Sequence, residues 1–176
     1  MQPLPIPTGD GLFVAGYSDR GLARLDFPKP GRRTDRVQSK LPPLVQAWHR
    51  ATTRALKQSL AGRKPTTFPP LDLTTGTPFQ QAVWDALRQI APGTTRSYAE
   101  IARAVGSPGA ARAVGQACGA NPIPLLVPCH RVLASGGKLG GFSGGADWKR
   151  KLLAREARRL TRGTSEPLRL NGPGVQ

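Results

Sequence analysis

The sequence predicts a two-unit α/β chain: a small α/β unit over residues 1–75, a mainly helical unit over 76–160, and a basic tail over 161–176 expected to lack order. Three observations predict it. A hairpin pattern followed by one long amphipathic stretch fills the first part. Two capping boxes open short helices in the second. Abundant Gly and Pro, 21 and 18 residues, punctuate the spaces between.

Residues 11–27 read as a hairpin, with Leu12, Phe13, Val14 and Tyr17 before the turn Ser18-Asp19-Arg20-Gly21 and Leu22, Leu25 and Phe27 after it. Residues 28–40 read as an exposed basic loop carrying Lys29, Arg32, Arg33, Arg36 and Lys40. A helix is expected from Pro42 to Ala61, with Leu44, Val45, Trp48, Leu56 and Leu60 on its apolar side and Gly62 as its stop. Thr66 to Leu73 is expected to add an edge strand. No chemistry is visible in this unit, and a structural role is expected of it.

The second unit opens with Thr77 as a cap, Pro78 at the first helical position and Gln80 reaching back, after which Phe79, Val83, Leu87 and Ile90 share one face. Ser97 and Glu100 form the next capping box, and that helix ends at Gly106. A tight turn leads to a helix from Ala110 to Cys118, stopped at Gly119, so the pair suits a helix-turn-helix. Its second helix is rich in small residues (Ala110, Ala111, Ala113, Gly115, Ala117) with Arg112 as the large polar one. Such a surface suits close approach to a nucleic-acid groove or close packing against another helix. A hairpin is expected over Val132–Phe142, then the glycine-rich run 140–145, then a last helix from Asp147 to Leu160.

Composition narrows the function. A net charge of +16 on 176 residues favours a polyanionic partner, nucleic acid first, with a basic solubilising surface or an acidic protein partner as the alternative. Cys118 and Cys129 make no disulfide framework, and no Cys/His cluster has zinc spacing. The N-terminal residues lack signal-peptide regions, and no apolar run reaches membrane-spanning length. A reducing compartment is expected: cytoplasmic, nucleoid-associated, or nuclear in a eukaryote.

Chemistry concentrates in Pro128-Cys129-His130-Arg131. A cysteine reacts as its thiolate, and cationic or basic neighbours are what a nucleophilic cysteine requires. Arg131 reads either as a nucleic-acid contact or as a buried tie between elements. Trp48, Trp84 and Trp148 read as core anchors, and Cys118 as a small packing residue.

The block from Asn121 to Val132, with Phe142-Ser143-Gly144-Gly145, resembles the active-site block of the O6-alkylguanine-DNA alkyltransferases. The resemblance runs nearly continuously over residues 77–157 and more loosely over 9–73. It implies a ribonuclease H-like α/β N-terminal unit and a winged-helix-like DNA-binding C-terminal unit. It implies single-turnover DNA repair, in which the alkyl group of O6-alkylguanine, and of O4-methylthymine, moves irreversibly to the protein's own cysteine. No cofactor and no metal are expected, and the partner is double-stranded DNA bound by a monomer through the minor groove.

The family's nucleophile maps to Cys129, its water-mediated base to His130, the carboxylate behind the imidazole to Glu156, and the hinge asparagine to Asn121. Tyr98, Pro124, Val132, Phe142 and Ser143 map to the substrate pocket. Arg112 maps to the arginine that fills the space of the flipped base, with Ala111, Ala113 and Gly115 on the groove-facing surface. Phe142 stands where some relatives carry tyrosine, and the zinc ligands some relatives carry in the N-terminal unit are absent. A noncatalytic damage-binding protein of the alkyltransferase-like kind is the alternative, and Cys129 speaks against it. A winged-helix regulator would leave Cys129, His130 and Glu156 idle. A cysteine hydrolase lacks any sign of a peptide or ester site.

Overall fold

The computed structural model describes residues 3–31 and 41–163. Within them the chain is mixed α/β, five α-helices with two small sheets. A three-stranded antiparallel meander comes first: β1 (Pro3–Thr8), β2 (Gly11–Tyr17) and β3 (Leu22–Asp26), in the order β1-β2-β3. Helix α1 (Pro43–Leu60) follows and packs on the sheet through Ala55, Leu56 and Leu60. Central β2 is buried from Phe13 to Tyr17, as expected of a strand covered on both faces.

The second part holds α2 (Pro78–Arg88), β4 (Arg96–Ser97), α3 (Tyr98–Ala104), α4 (Ala111–Gly119), β5 (Val132–Leu133) and α5 (Ala146–Gly163). Both capping boxes form, Thr77 with Gln80 and Ser97 with Glu100. The α2 face of Val83, Trp84 and Leu87 is buried, and the Trp84 indole donates 2.8 Å to the Ala117 carbonyl, tying α2 to α4. One aromatic cluster joins the two parts: Phe27 lies 5.6 Å from Phe13, 5.0 Å from Trp148 and 5.5 Å from Phe142, centroid to centroid.

Several expectations need correction. Strand β1 was not anticipated. The expected edge strand at Thr66–Leu73 reduces to a single parallel bridge between Leu22 and Leu71, because the Pro69-Pro70 pair has no N–H groups to donate to a ladder. The expected hairpin over Val132–Phe142 does not form. Val132 and Leu133 pair instead in parallel with Arg96 and Ser97, and Ser135–Gly137 make a 3-10 turn. Leu44, placed on the apolar side of α1, is 58% exposed because it sits in the helix's first turn, at the edge of the packed surface. Trp84 is a core anchor, whereas Trp48 and Trp148 are only partly buried against the core. Helix α5 runs past Leu160 to Gly163. The rest of the expected tail, and most of the basic loop at 28–40, lie outside the described residues.

Candidate active site

The segment from Asn121 to Val132 threads through the core, with Ile123, Leu125, Leu126 and Val127 all buried. Asn121 organises it: Oδ1 accepts from the Ile123 N–H at 3.0 Å, and Nδ2 donates to the Val127 carbonyl at 2.8 Å and to Cys129 Sγ at 3.1 Å. Leu125 sits at φ 70°, a left-handed conformation that costs a leucine about 1–2 kcal/mol. The tight packing around it supports that strain, and the segment turns so that Cys129–Arg131 form a 3-10 turn at the centre of the protein.

Within that turn Cys129 faces Asn121, while His130 and Arg131 meet at one carboxylate. Cys129 is 3% exposed. His130 Nε2 lies 3.0 Å from Glu156 Oε1. Arg131 meets the same carboxylate through Nε, 3.1 Å from each oxygen, and through Nη2, 2.8 Å from Oε1, while Nη1 donates to the Ile90 carbonyl. The Gly93 N–H donates 3.0 Å to Glu156 Oε2. Arg131 is thus the buried tie between elements rather than a nucleic-acid contact. Glu156, which a sequence would place on a solvated helix face, is the buried hub.

Electrostatics follow from that arrangement. Burial alone would raise the Glu156 carboxyl, but the hydrogen bonds from His130 and Arg131 outweigh it and hold it at about 2. Burial lowers His130 despite its carboxylate partner, so the ring is neutral. An ionised Glu156 then fixes the proton on Nε2, which donates, and leaves the Nδ1 lone pair free. Nδ1 is buried with no hydrogen-bond partner among the described residues.

The sulfur departs from expectation. Burial pushes the Cys129 thiol up to about 11, against the lowering pull of the Asn121 amide and of Lys149. Its sequence neighbour Arg131 is spent on Glu156, so the acidifying groups come from elsewhere in the fold. The resting pair is therefore a neutral thiol beside a neutral imidazole. Cys118 is pushed up as well, to about 12, by burial and by Cys129.

Lys149 is the residue sequence reasoning missed. It lies fully buried in the first turns of α5, its Nζ 2.6 Å from the Val132 carbonyl and 3.4 Å from the Gly141 carbonyl. Nothing in the sequence distinguishes it from its exposed neighbours Arg150 and Lys151.

A largely apolar groove of about 880 Å³ reaches this buried set only through its walls: the Phe142 ring lies 6.3 Å from the His130 ring, the Gly141 carbonyl accepts from Lys149, and Cys129, His130 and Glu156 are not among its lining residues. Tyr98, Ala111, Arg112, Gly115, Phe142 and Ser143 are among its walls. Ala113 is not, being half-buried on another side of α4. Tyr98 stands between α4 and the glycine-rich run: a Cβ on Gly140, which has φ +67°, would come 3.0 Å from its hydroxyl. Asn121, Pro124 and Ser143 line a second cavity of about 630 Å³ against β3, so Ser143 separates the two. Val132 is buried below, its carbonyl engaged by Lys149. The site can offer a sulfur nucleophile, a base held by a carboxylate, and an open groove with an exposed arginine at its edge.

The family model described as the 6-O-methylguanine DNA methyltransferase DNA-binding domain matches residues 78–158. A methylated-DNA–protein-cysteine methyltransferase of Mycolicibacterium paratuberculosis is 59% identical over 88 residues, and this chain spans about half its length (53%). The namesake from Methanosarcina acetivorans is 39% identical over 82% of this chain and 90% of its own. Among solved structures, Mycobacterium tuberculosis OGT in complex with DNA matches with TM-score 0.72 and 41% identity over 88% of this chain and 92% of that one. With relatives matched across most of both chains, the chain belongs to the methylated-DNA–protein-cysteine methyltransferase family.

Proposed function

We propose that this chain repairs DNA by moving the alkyl group of O6-alkylguanine irreversibly to Cys129, one turnover per molecule, with O4-methylthymine as a second lesion. The observation that carries this reading is the buried His130–Glu156 pair, next in sequence to Cys129 and 6.3 Å, ring to ring, from Phe142, a wall of the groove that Arg112 also lines. In this reading Ala111 and Gly115 of α4 approach the minor groove of double-stranded DNA and Arg112 fills the space left by the flipped base. Tyr98, Phe142 and Ser143 wall the base from the groove, Pro124 stands beyond Ser143 in the neighbouring cavity, and Val132 with the Cys129 backbone meets the base's edge.

The reaction follows from the site. Nδ1 of His130 takes the thiol proton through one water as the sulfur attacks the O6-alkyl carbon. The S–C bond forms, the C–O6 bond breaks with its electron pair on the purine oxygen, and the proton passes back to the purine. Glu156 supports the transient imidazolium, and Asn121 and Lys149 support the developing thiolate. The thioether product has no leaving path, so the protein is consumed.

The same reading divides the chain at about residue 75 into a ribonuclease H-like unit and a winged-helix-like DNA-binding unit that acts as a monomer. Repair of DNA puts the protein in the cytoplasm with the nucleoid, or in a eukaryotic nucleus. The test is transfer of labelled methyl from an O6-methylguanine duplex. Label should saturate at one methyl per native chain and be lost in Cys129→Ser with duplex binding retained. Tight lesion binding without transfer by the native chain would instead favour a noncatalytic damage-recognition protein.

A further inference from the structure

The N-terminal elements β1–β3 and α1 give no side chain to the polar set around His130, yet they grip α5 beside Glu156. Asp10, in the turn between β1 and β2, receives Arg155 Nη1 at 2.7 Å and Nη2 at 2.8 Å, and Lys151 Nζ at 2.7 Å. Arg155 Nη1 also donates to the Leu60 carbonyl at the end of α1, at 3.1 Å. Just beyond, Gly62 at φ +70° lies flat against the peptide joining Arg155 to Glu156. A Cβ there would stand 2.7 Å from the Arg155 carbonyl oxygen and 3.0 Å from the Glu156 nitrogen. The Asp10 side chain is only 13% exposed, and the Arg155 hydrogen bond holds its carboxyl at about 2, so the clamp stays ionised at neutral pH.

Residues 155 and 156 face different ways on one turn of α5. Arg155 points to the N-terminal elements and Glu156 to His130, Arg131 and Gly93. A helix pinned on one side has its rotation fixed on the other. With side-chain tips about 5–6 Å from the axis, a 10° turn of α5 moves the Glu156 carboxylate by about 1 Å. That is enough to break a 3.0 Å hydrogen bond to Nε2. We infer that Asp10 and the Gly62 turn are positioning residues through which the N-terminal elements set the rotation of α5 and hold Glu156 in register with His130. This inference rests on the relay proposed for His130 and Glu156.

The test uses the full chain and reads the rate of Cys129 alkylation by iodoacetamide against pH, followed on the Cys129 peptide by mass. The charged and titratable groups that bear on the His130 ring are Glu156 and Lys149 from α5, and Arg131 from its own turn. None of them is altered in Asp10→Asn, Gly62→Ala or Thr52→Val; Glu156→Gln, which does alter one, is the reference for loss of the relay. Asp10→Asn and Gly62→Ala should move the profile to higher pH, in the direction of Glu156→Gln, and slow alkylation at neutral pH by about three- to tenfold. Thr52→Val is the control. It removes a hydroxyl bonded to Tyr17 and the Trp48 carbonyl, within the N-terminal elements, and should lower Tm while leaving the profile native. Should Gly62→Ala fail to fold, Asp10→Asn decides alone. Lowered Tm with a native profile in Asp10→Asn overturns the inference. A native profile in Glu156→Gln overturns the relay itself, and this inference with it.

Discussion

Replacing Glu156 with glutamine keeps the shape of the hub and removes its charge. Two measures of the cost agree. A carboxyl held at about 2 rather than 4.5 corresponds to about 3 kcal/mol of folding stability at neutral pH. Stranding the buried Arg131 cation, 5% exposed, by deleting its partner costs about 3–5 kcal/mol. Against a total stability of about 5–15 kcal/mol for a domain, such a loss is readily seen in urea unfolding at pH 7, provided the m-value is unchanged. The double variant Arg131→Met, Glu156→Leu removes both charges together and should recover most of that stability, because replacing a whole buried pair by apolar groups is often neutral. Neither variant should transfer methyl efficiently, since both lose the carboxylate behind His130 Nε2. A Glu156→Gln protein within about 1 kcal/mol of native would refute the reasoning, because no large buried-charge penalty would then exist.

Two further outcomes follow. Lys149→Met deletes the cation that draws the Cys129 thiol down and the bond that holds Val132 to α5, so the alkylation profile of Cys129 should move to higher pH and methyl transfer should slow. An unchanged profile would confine Lys149 to packing. Acid should unfold the protein in two overlapping stages. Neutral buried His130, lowered from 6.5, contributes stability that fades as pH falls below 6.5. Glu156 and Asp10, lowered from 4.5 and 3.8 to about 2, contribute stability present above those unfolded values and lost as pH drops towards 2. The urea midpoint should fall throughout that range, and a midpoint constant between pH 4.5 and 2 would contradict the assignment.

Helix starts were legible because their signals are local: Thr77 with Gln80 and Ser97 with Glu100 cap as their spacing predicts. Cys129 and His130 stand out from residue chemistry alone, Glu156 and Asn121 only through the resemblance, and the surroundings of all four were not legible. Strand β1 hid behind Pro3, Pro5 and Pro7, which argue against a strand. Their even spacing puts all three on alternate positions of an edge strand, opposite Gly16, Val14 and Leu12, where no N–H is needed for the ladder, while Leu4 and Ile6 turn into the core. The hairpin expected after Val132 failed because a two-residue parallel pairing with β4 is a long-range choice that turn residues do not announce. Lys149 and Glu156 look like surface residues on a highly charged helix, and only the packing of α5 against the Cys129 turn shows them buried. The expectation that sequence neighbours would acidify Cys129 erred because Arg131 is engaged by Glu156, and the groups that lower the thiol, Asn121 and Lys149, come from elsewhere in the chain.

The central claim is that the sulfur of Cys129, and not that of Cys118, accepts the alkyl group. After incubation with an O6-methylguanine duplex, digestion should show a gain of ~14 Da on the peptide carrying Cys129, the thioether that forms irreversibly on a reactive thiolate. The gain should reach one methyl per chain and go no further. Methyl on Cys118, or an unmodified Cys129 after the lesion has been consumed, would contradict the account.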